Sequence, residues 1–168
     1  TIKGFDTSKV KSLHKFLYES YLYNFDISEM QINTRNVEDM SYMFAFTYVN
    51  KLDLSNMDTS NLVNMSHMFD GCTSLMSLDV SKFNTNKVKD MSFLFSDCGA
   101  LSSLDISNFK TNSVINMSGM FNEMFTLKEL DVSFFNTELV NDMSEMFSDC
   151  YSLKEIKLDN FITKNVKN

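Results

Sequence analysis

The sequence predicts an α/β repeat: a solenoid of about six stacked copies, one parallel β-sheet on one face and short helices on the other. It fills residues 1–168 as a single domain. Three observations carry this expectation. One register recurs at Met57, Phe83, Phe109, Phe135 and Phe161, each 26 positions after the last, and a fixed period in the 20–50 range marks a stacked repeat. Within each copy the apolar spacing changes from a helical to an alternating period. The chain also has four glycines and no proline, which leaves little for long irregular connections.

The helical half is clearest in the copy that begins at Phe83. Val88, Met91, Leu94 and Phe95 stand at i, i+3, i+6 and i+7, one face of a helix. The same columns hold Leu62, Met65, Met68 and Phe69, then Val114, Met117, Met120 and Phe121, then Val140, Met143, Met146 and Phe147. A threonine precedes each run: Thr7, Thr34, Thr59, Thr85, Thr111, Thr137 and Thr163. A hydroxyl there reads as an N-cap, and Asn64, Asp90, Asn116 and Asp142 read as first-turn groups suited to the positive helix end.

The alternating half is Leu78-Asp79-Val80-Ser81, repeated as Leu104-Asp105-Ile106-Ser107 and Leu130-Asp131-Val132-Ser133, with Ile156-Lys157-Leu158-Asp159 as its last form. Apolar and polar residues in alternation predict a half-buried strand. One strand per copy at a constant offset builds a parallel sheet. A single copy cannot bury its apolar face alone, so the copies must stack, and the Phe and Met columns become core ladders.

The ends depart from the pattern. Residues 5–28 form a divergent first copy rich in Lys and Tyr, which suits a capping repeat. The second copy, near residues 30–55, is one residue short. Phe161 opens a truncated seventh copy over 161–168, and the start at Thr1 suggests a mature form or an excised segment.

Composition narrows the function classes. A formal net charge of −7 disfavours a nucleic-acid partner, and no apolar run is long enough for a membrane span. Cys72, Cys98 and Cys150 are odd in number and lack metal spacing. With Met124 in the same column they read as a small buried apolar slot, a Cys72–Cys98 bridge being the alternative. His14 and His67 are the only histidines, and His67 reads as a solvent-facing substitution. No nucleophile–base arrangement, phosphate loop or zinc motif occurs, so no catalytic residue, metal ligand or cofactor is expected. Asn64-Met65-Ser66 and Asn116-Met117-Ser118 match the glycosylation sequon, but their central Met belongs to the core face.

The string F-[DN]-T-x-x-V-x-[DN]-M-S-x-M-F-x-x-C-x-S-L-x-x-L-D-[VIL]-S, closest in Met57–Lys82 and Phe83–Asn108, resembles the BspA-like leucine-rich-repeat surface proteins. The resemblance implies a right-handed leucine-rich-repeat solenoid, extracellular or on a cell surface. It implies a non-enzymatic module for adhesion or protein binding, with a protein partner on a host or neighbouring-cell surface.

The candidate binding residues are Asp53, Asp79, Asp105 and Asp131, continued by Asp26 in the first copy, with Phe134 and Met76 where the copies differ on the same face. In stacked strands these carboxylates form a row about 5 Å apart and repel by roughly 1 kcal/mol per pair in water. Two readings offset this. Ser55, Ser81, Ser107 and Ser133 could bind the carboxylates locally, or the row could attract a basic partner or Ca²⁺. Phe134 is expected to be surface rather than core. The alternatives to a binding module are a structural stalk and a carbohydrate- or Ca²⁺-binding surface module.

Overall fold

The computed structural model describes residues 6–22, 30 and 32–168. Asp26, Phe5, Phe25 and the rest of the first strand copy lie outside the described residues. The copies lie one on another in parallel. Strand β1 (Lys51–Leu52) pairs with β2 (Ser77–Leu78), and β3 (Glu129–Asp131) pairs with β4 (Glu155–Lys157), both parallel and in repeat register. Among the described residues there is no α-helix, and no helix long and apolar enough to cross a membrane.

The runs expected to be helical are chains of tight turns. In a helix the Phe95 N–H would bond the Met91 carbonyl; here it bonds the Met120 carbonyl of the next copy at 3.0 Å. Met91, Phe93, Phe95 and Asp97 all donate forward to the next copy, while Leu94, Ser96 and Cys98 donate back to the third residue before them. Three-residue turns repeat the inward spacing of a helix, which is why Val88, Met91, Leu94 and Phe95 are all fully buried without forming one. The cost is a left-handed backbone at two residues of each such run, for example φ 52° at Phe93 and 50° at Asp97. Such conformations are unfavourable for residues with a Cβ.

Side-chain oxygens divert the backbone from helix. Asp90 Oδ1 accepts the Ser92 N–H at 2.9 Å and its hydroxyl at 2.7 Å. Asp39, Asn64, Asn116 and Asp142 each do the same to the serine amide two residues on. These are Asx turns, a local alternative to helical hydrogen bonding. The positions read as first-turn helix groups are therefore corners.

The threonines also have another role. Thr85 Oγ1 donates to the Lys110 carbonyl at 3.0 Å and accepts the Lys110 N–H at 2.7 Å. Thr7, Thr34, Thr59, Thr111 and Thr137 clamp Asn33, Asp58, Asn84, Asn136 and Ile162 in the same way. Each hydroxyl ties one copy to the next from inside the core instead of capping a helix.

A single apolar cluster extends from Leu13 to Met146. Its axis is the column Phe44, Phe69, Phe95, Phe121 and Phe147, with ring centroids 5.7–6.0 Å apart between neighbours. The cysteine slot is buried at Cys72 and Cys98, but it is not purely apolar. The thiols of Cys72, Cys98 and Cys150 donate to the carbonyls of Phe44, Phe69 and Phe121. All three cysteines are free, so the alternative of a Cys72–Cys98 bridge is not realised. Burial pushes the Cys72 thiol up to about 12, which leaves it a hydrogen-bond donor and a poor nucleophile.

Candidate recognition face

The strand face carries the aspartate row, and its local chemistry follows from the sequence Asp-x-Ser. Asp53, Asp79, Asp105 and Asp131 are exposed. Each Oδ1 accepts the N–H of the serine two residues on, at 2.9–3.0 Å: Ser55, Ser81, Ser107 and Ser133. The serine reading of the row therefore describes its geometry. In Asp53, Asp79 and Asp131 the serine hydroxyl and amide hold the carboxyl below its usual range; in Asp105 the amide leads.

Cations sit beside part of the row. Lys51 and Lys82 act on Asp53, and Lys82 acts on Asp79. Lys157, which stands where the strand aspartate is lost, pairs with Asp131 at 3.3 Å. At Asp105 the Ser107 bonds hold the carboxyl down against the repulsion of Asp79, and among the described residues it forms no ion pair. No group of three or more His, Cys, Asp or Glu among the described residues is placed to hold a metal ion.

The depressed carboxyls set the sign of an acid response. A carboxyl whose folded value lies below the unfolded one stabilises the fold above the unfolded value, and that stability is lost as pH falls through the folded value. The melting temperature is therefore expected to hold near neutrality and to fall as pH drops below about 4. Asp105→Asn should shallow that acid limb, and an identical limb in the variant would sink the assignment.

The other two candidates separate. Met76 is 68% exposed beside the row, as its position suggested. Phe134 is half-buried and packs against the core, edge-on to Phe135 at 5.3 Å. The expectation that it is purely surface is corrected: an apolar ring gains by leaving water, and this one finds the core cluster and the edge of Phe135 within reach. It still lines a shallow depression with Asp159, Asn160 and Ile162.

An aromatic column on the turn face escaped the sequence reading. Tyr42, His67 and Phe93 stack nearly parallel, at 4.2 and 4.8 Å between centroids. Lys15 Nζ lies 4.9 Å from the Tyr18 ring centre and 5.3 Å from that of Tyr42. His67 is thus not solvent-facing: its side chain is 21% exposed and its Nδ1 lies 2.8 Å from Asp70 Oδ2. The signal available was that this column holds rings in three successive copies, Tyr42, His67 and Phe93, and then Gly119. A Cβ on Gly119 would stand 2.3 Å from the Phe93 ring, and one on Gly71 equally close to Phe46. Gly119 also has φ +58°, so Gly119→Ala is expected to cost about 1–3 kcal/mol. Adding Phe93→Ala should recover the steric part, giving a coupling of about 1 kcal/mol; strictly additive unfolding energies would refute the contact.

Copies in constant register, tied by backbone, threonine and aromatic ladders, define a tandem-repeat protein. The chain belongs to the family described as Mycoplasma protein of unknown function, DUF285, whose model matches residues 1–104 and again 72–168. This membership is compatible with a BspA-like repeat protein. No curated protein and no solved structure matches the chain.

Proposed function

We propose that this chain is a non-enzymatic protein-binding or adhesion module of a cell-surface protein of the leucine-rich-repeat solenoid type, with recognition on its strand face. The observation that carries this reading is the division of labour within the copy. Core columns, clamps and corners are held constant, while on the strand face the exposed row Asp53, Asp79, Asp105 and Asp131 runs beside an exposed column that changes from copy to copy, Met76, Ser102, Lys128 and Lys154. Repeats that agree inside and vary on one face commonly recognise partners through it. A protein with a basic patch, displayed extracellularly on a host or neighbouring cell, fits the row by charge.

The test is capture of host-surface proteins on the immobilised chain, comparing wild type with Asp79→Asn/Asp105→Asn and Met76→Ala. Loss of a salt-sensitive partner in these variants, with the melting temperature kept, supports the reading. Capture that is unchanged by all of them favours a stalk whose copies only extend it. The serine bonds that satisfy each carboxylate internally are what the stalk reading has in its favour. Calorimetric titration with Ca²⁺ addresses the ion-binding version; no heat at millimolar ion would end it.

A further inference from the structure

The two faces of the stack are not equally closed. On the turn face the backbone ladder runs without a break, from Met65, His67, Phe69 and Gly71 through Met91, Phe93, Phe95 and Asp97 to Met117, Gly119, Phe121 and Glu123. On the strand face it stops. β1 pairs with β2 and β3 with β4, but the intervening segment Ser102–Asp105 belongs to neither sheet. Among the described residues, no backbone bond joins it to the copy on either side.

Side chains decide what happens at that break. Toward the preceding copy, Asn108 Nδ2 donates to both the Val80 and the Phe83 carbonyls, each at 3.0 Å. That strap replaces the missing ladder. One copy further on the same column holds Phe134, which has nothing to donate, and in the next copy Asn160 again straps to the Ser133 carbonyl. Between the copies of Asp105 and Asp131 the tie at one end is Thr126 Oγ1 to the Gly99 carbonyl, and at the other the Thr111 clamp on Asn136. The strand segments between these two ties make no hydrogen bond across the gap.

We infer that the strand face carries a compliant seam between Ser102–Asp105 and β3, able to open while the turn ladder stays closed. Leu104, half-buried, and Leu130, 4% exposed, are the apolar contents that opening releases. The seam lies between Asp105, which forms no ion pair among the described residues, and Asp131, which pairs with Lys157 at 3.3 Å. Opening therefore changes the spacing of the row at one place. It does so because Phe134 stands in the column from which Asn108 and Asn160 strap the copies on either side.

The test uses thiol labelling of a Leu130→Cys chain, with each cysteine followed separately by mass spectrometry. Native Cys98, fully buried on the closed side of the neighbouring copy, is the internal reference for global unfolding. Local opening predicts that Cys introduced at position 130 labels at least about tenfold faster than Cys98. Adding Phe134→Asn should restore a strap and bring the rate back toward that of Cys98. Amide exchange on the unmodified chain provides an arm free of substitutions: Leu104, whose N–H has no backbone partner among the described residues, should exchange faster than Phe93 and Phe95. Equal labelling of the two thiols, or Leu104 protected as well as Phe95, would overturn the seam.

Discussion

Replacing Thr85 by Val should lower the stability of the whole stack by about 2–4 kcal/mol, although the two side chains have the same shape. Thr85 is 1% exposed, and its hydroxyl is both acceptor for the Lys110 amide and donor to the Lys110 carbonyl. Valine fills the space and leaves both backbone groups without a partner in a position that water cannot readily reach. For a chain of this length the expected fall in melting temperature is roughly 5–15 °C. Thr85→Ser keeps the hydroxyl and should lose far less. A Val variant that melts with the wild type would mean the clamp is incidental to stability.

The largest single effect is expected for Phe95→Ala, at about 3–5 kcal/mol. Phe95 is fully buried, stacked at 5.9 Å on Phe69 and 6.0 Å on Phe121, and tilted against Phe109 at 6.3 Å. Truncation leaves a cavity bounded by rings on both sides, and the continuous turn ladder prevents the neighbouring copies from collapsing into it. Phe147→Ala is the control. Phe147 is half-buried and stacks on one ring of the column, Phe121, so it should cost less than half as much. Thermal or denaturant unfolding of both variants distinguishes a position-dependent column from a uniform one; equal losses would contradict the stacking account.

The columns that build the core were legible in the sequence because burial follows period. Val88, Met91, Leu94, Phe95, Cys98 and Leu101 all lie inside as expected. The backbone that carries them was not legible from the same signal, since a succession of three-residue turns places side chains inward at nearly the spacing of a helix. What separates the two is polar chemistry. Asp90 followed by Ser92, and glycines at the left-handed positions 71 and 119, are marks of corners rather than of helical turns. Thr85 was misassigned for a related reason: a hydroxyl before an apolar run suits a cap, and its true acceptor lies 25 residues further on, at Lys110.

On the candidate site, Asp-x-Ser allowed the internal bonding of Asp53, Asp79, Asp105 and Asp131 to be foreseen, because acceptor and donor are two residues apart on one strand. The sandwiching of His67 depends on the neighbouring copies, and the inward turn of Phe134 on core packing that the alternation of polar and apolar residues does not encode. A position judged along its own strand or run cannot reveal them. The same holds for the lysine at 157, which ends the aspartate column in sequence and neutralises its last member in space.

The threonine clamps have a consequence at the level of the gene. Each one joins residues 24–26 positions apart and always meets the same kind of backbone position in the next copy. Excision of one whole repeat by recombination would leave every surviving threonine facing an equivalent partner, and duplication would do the same. Array length is then free to vary between generations without a new folding solution. Loss of a single residue between clamps is absorbed as well: Thr34 reaches Asp58 across 24 positions, where the regular copies use 25, and keeps both bonds.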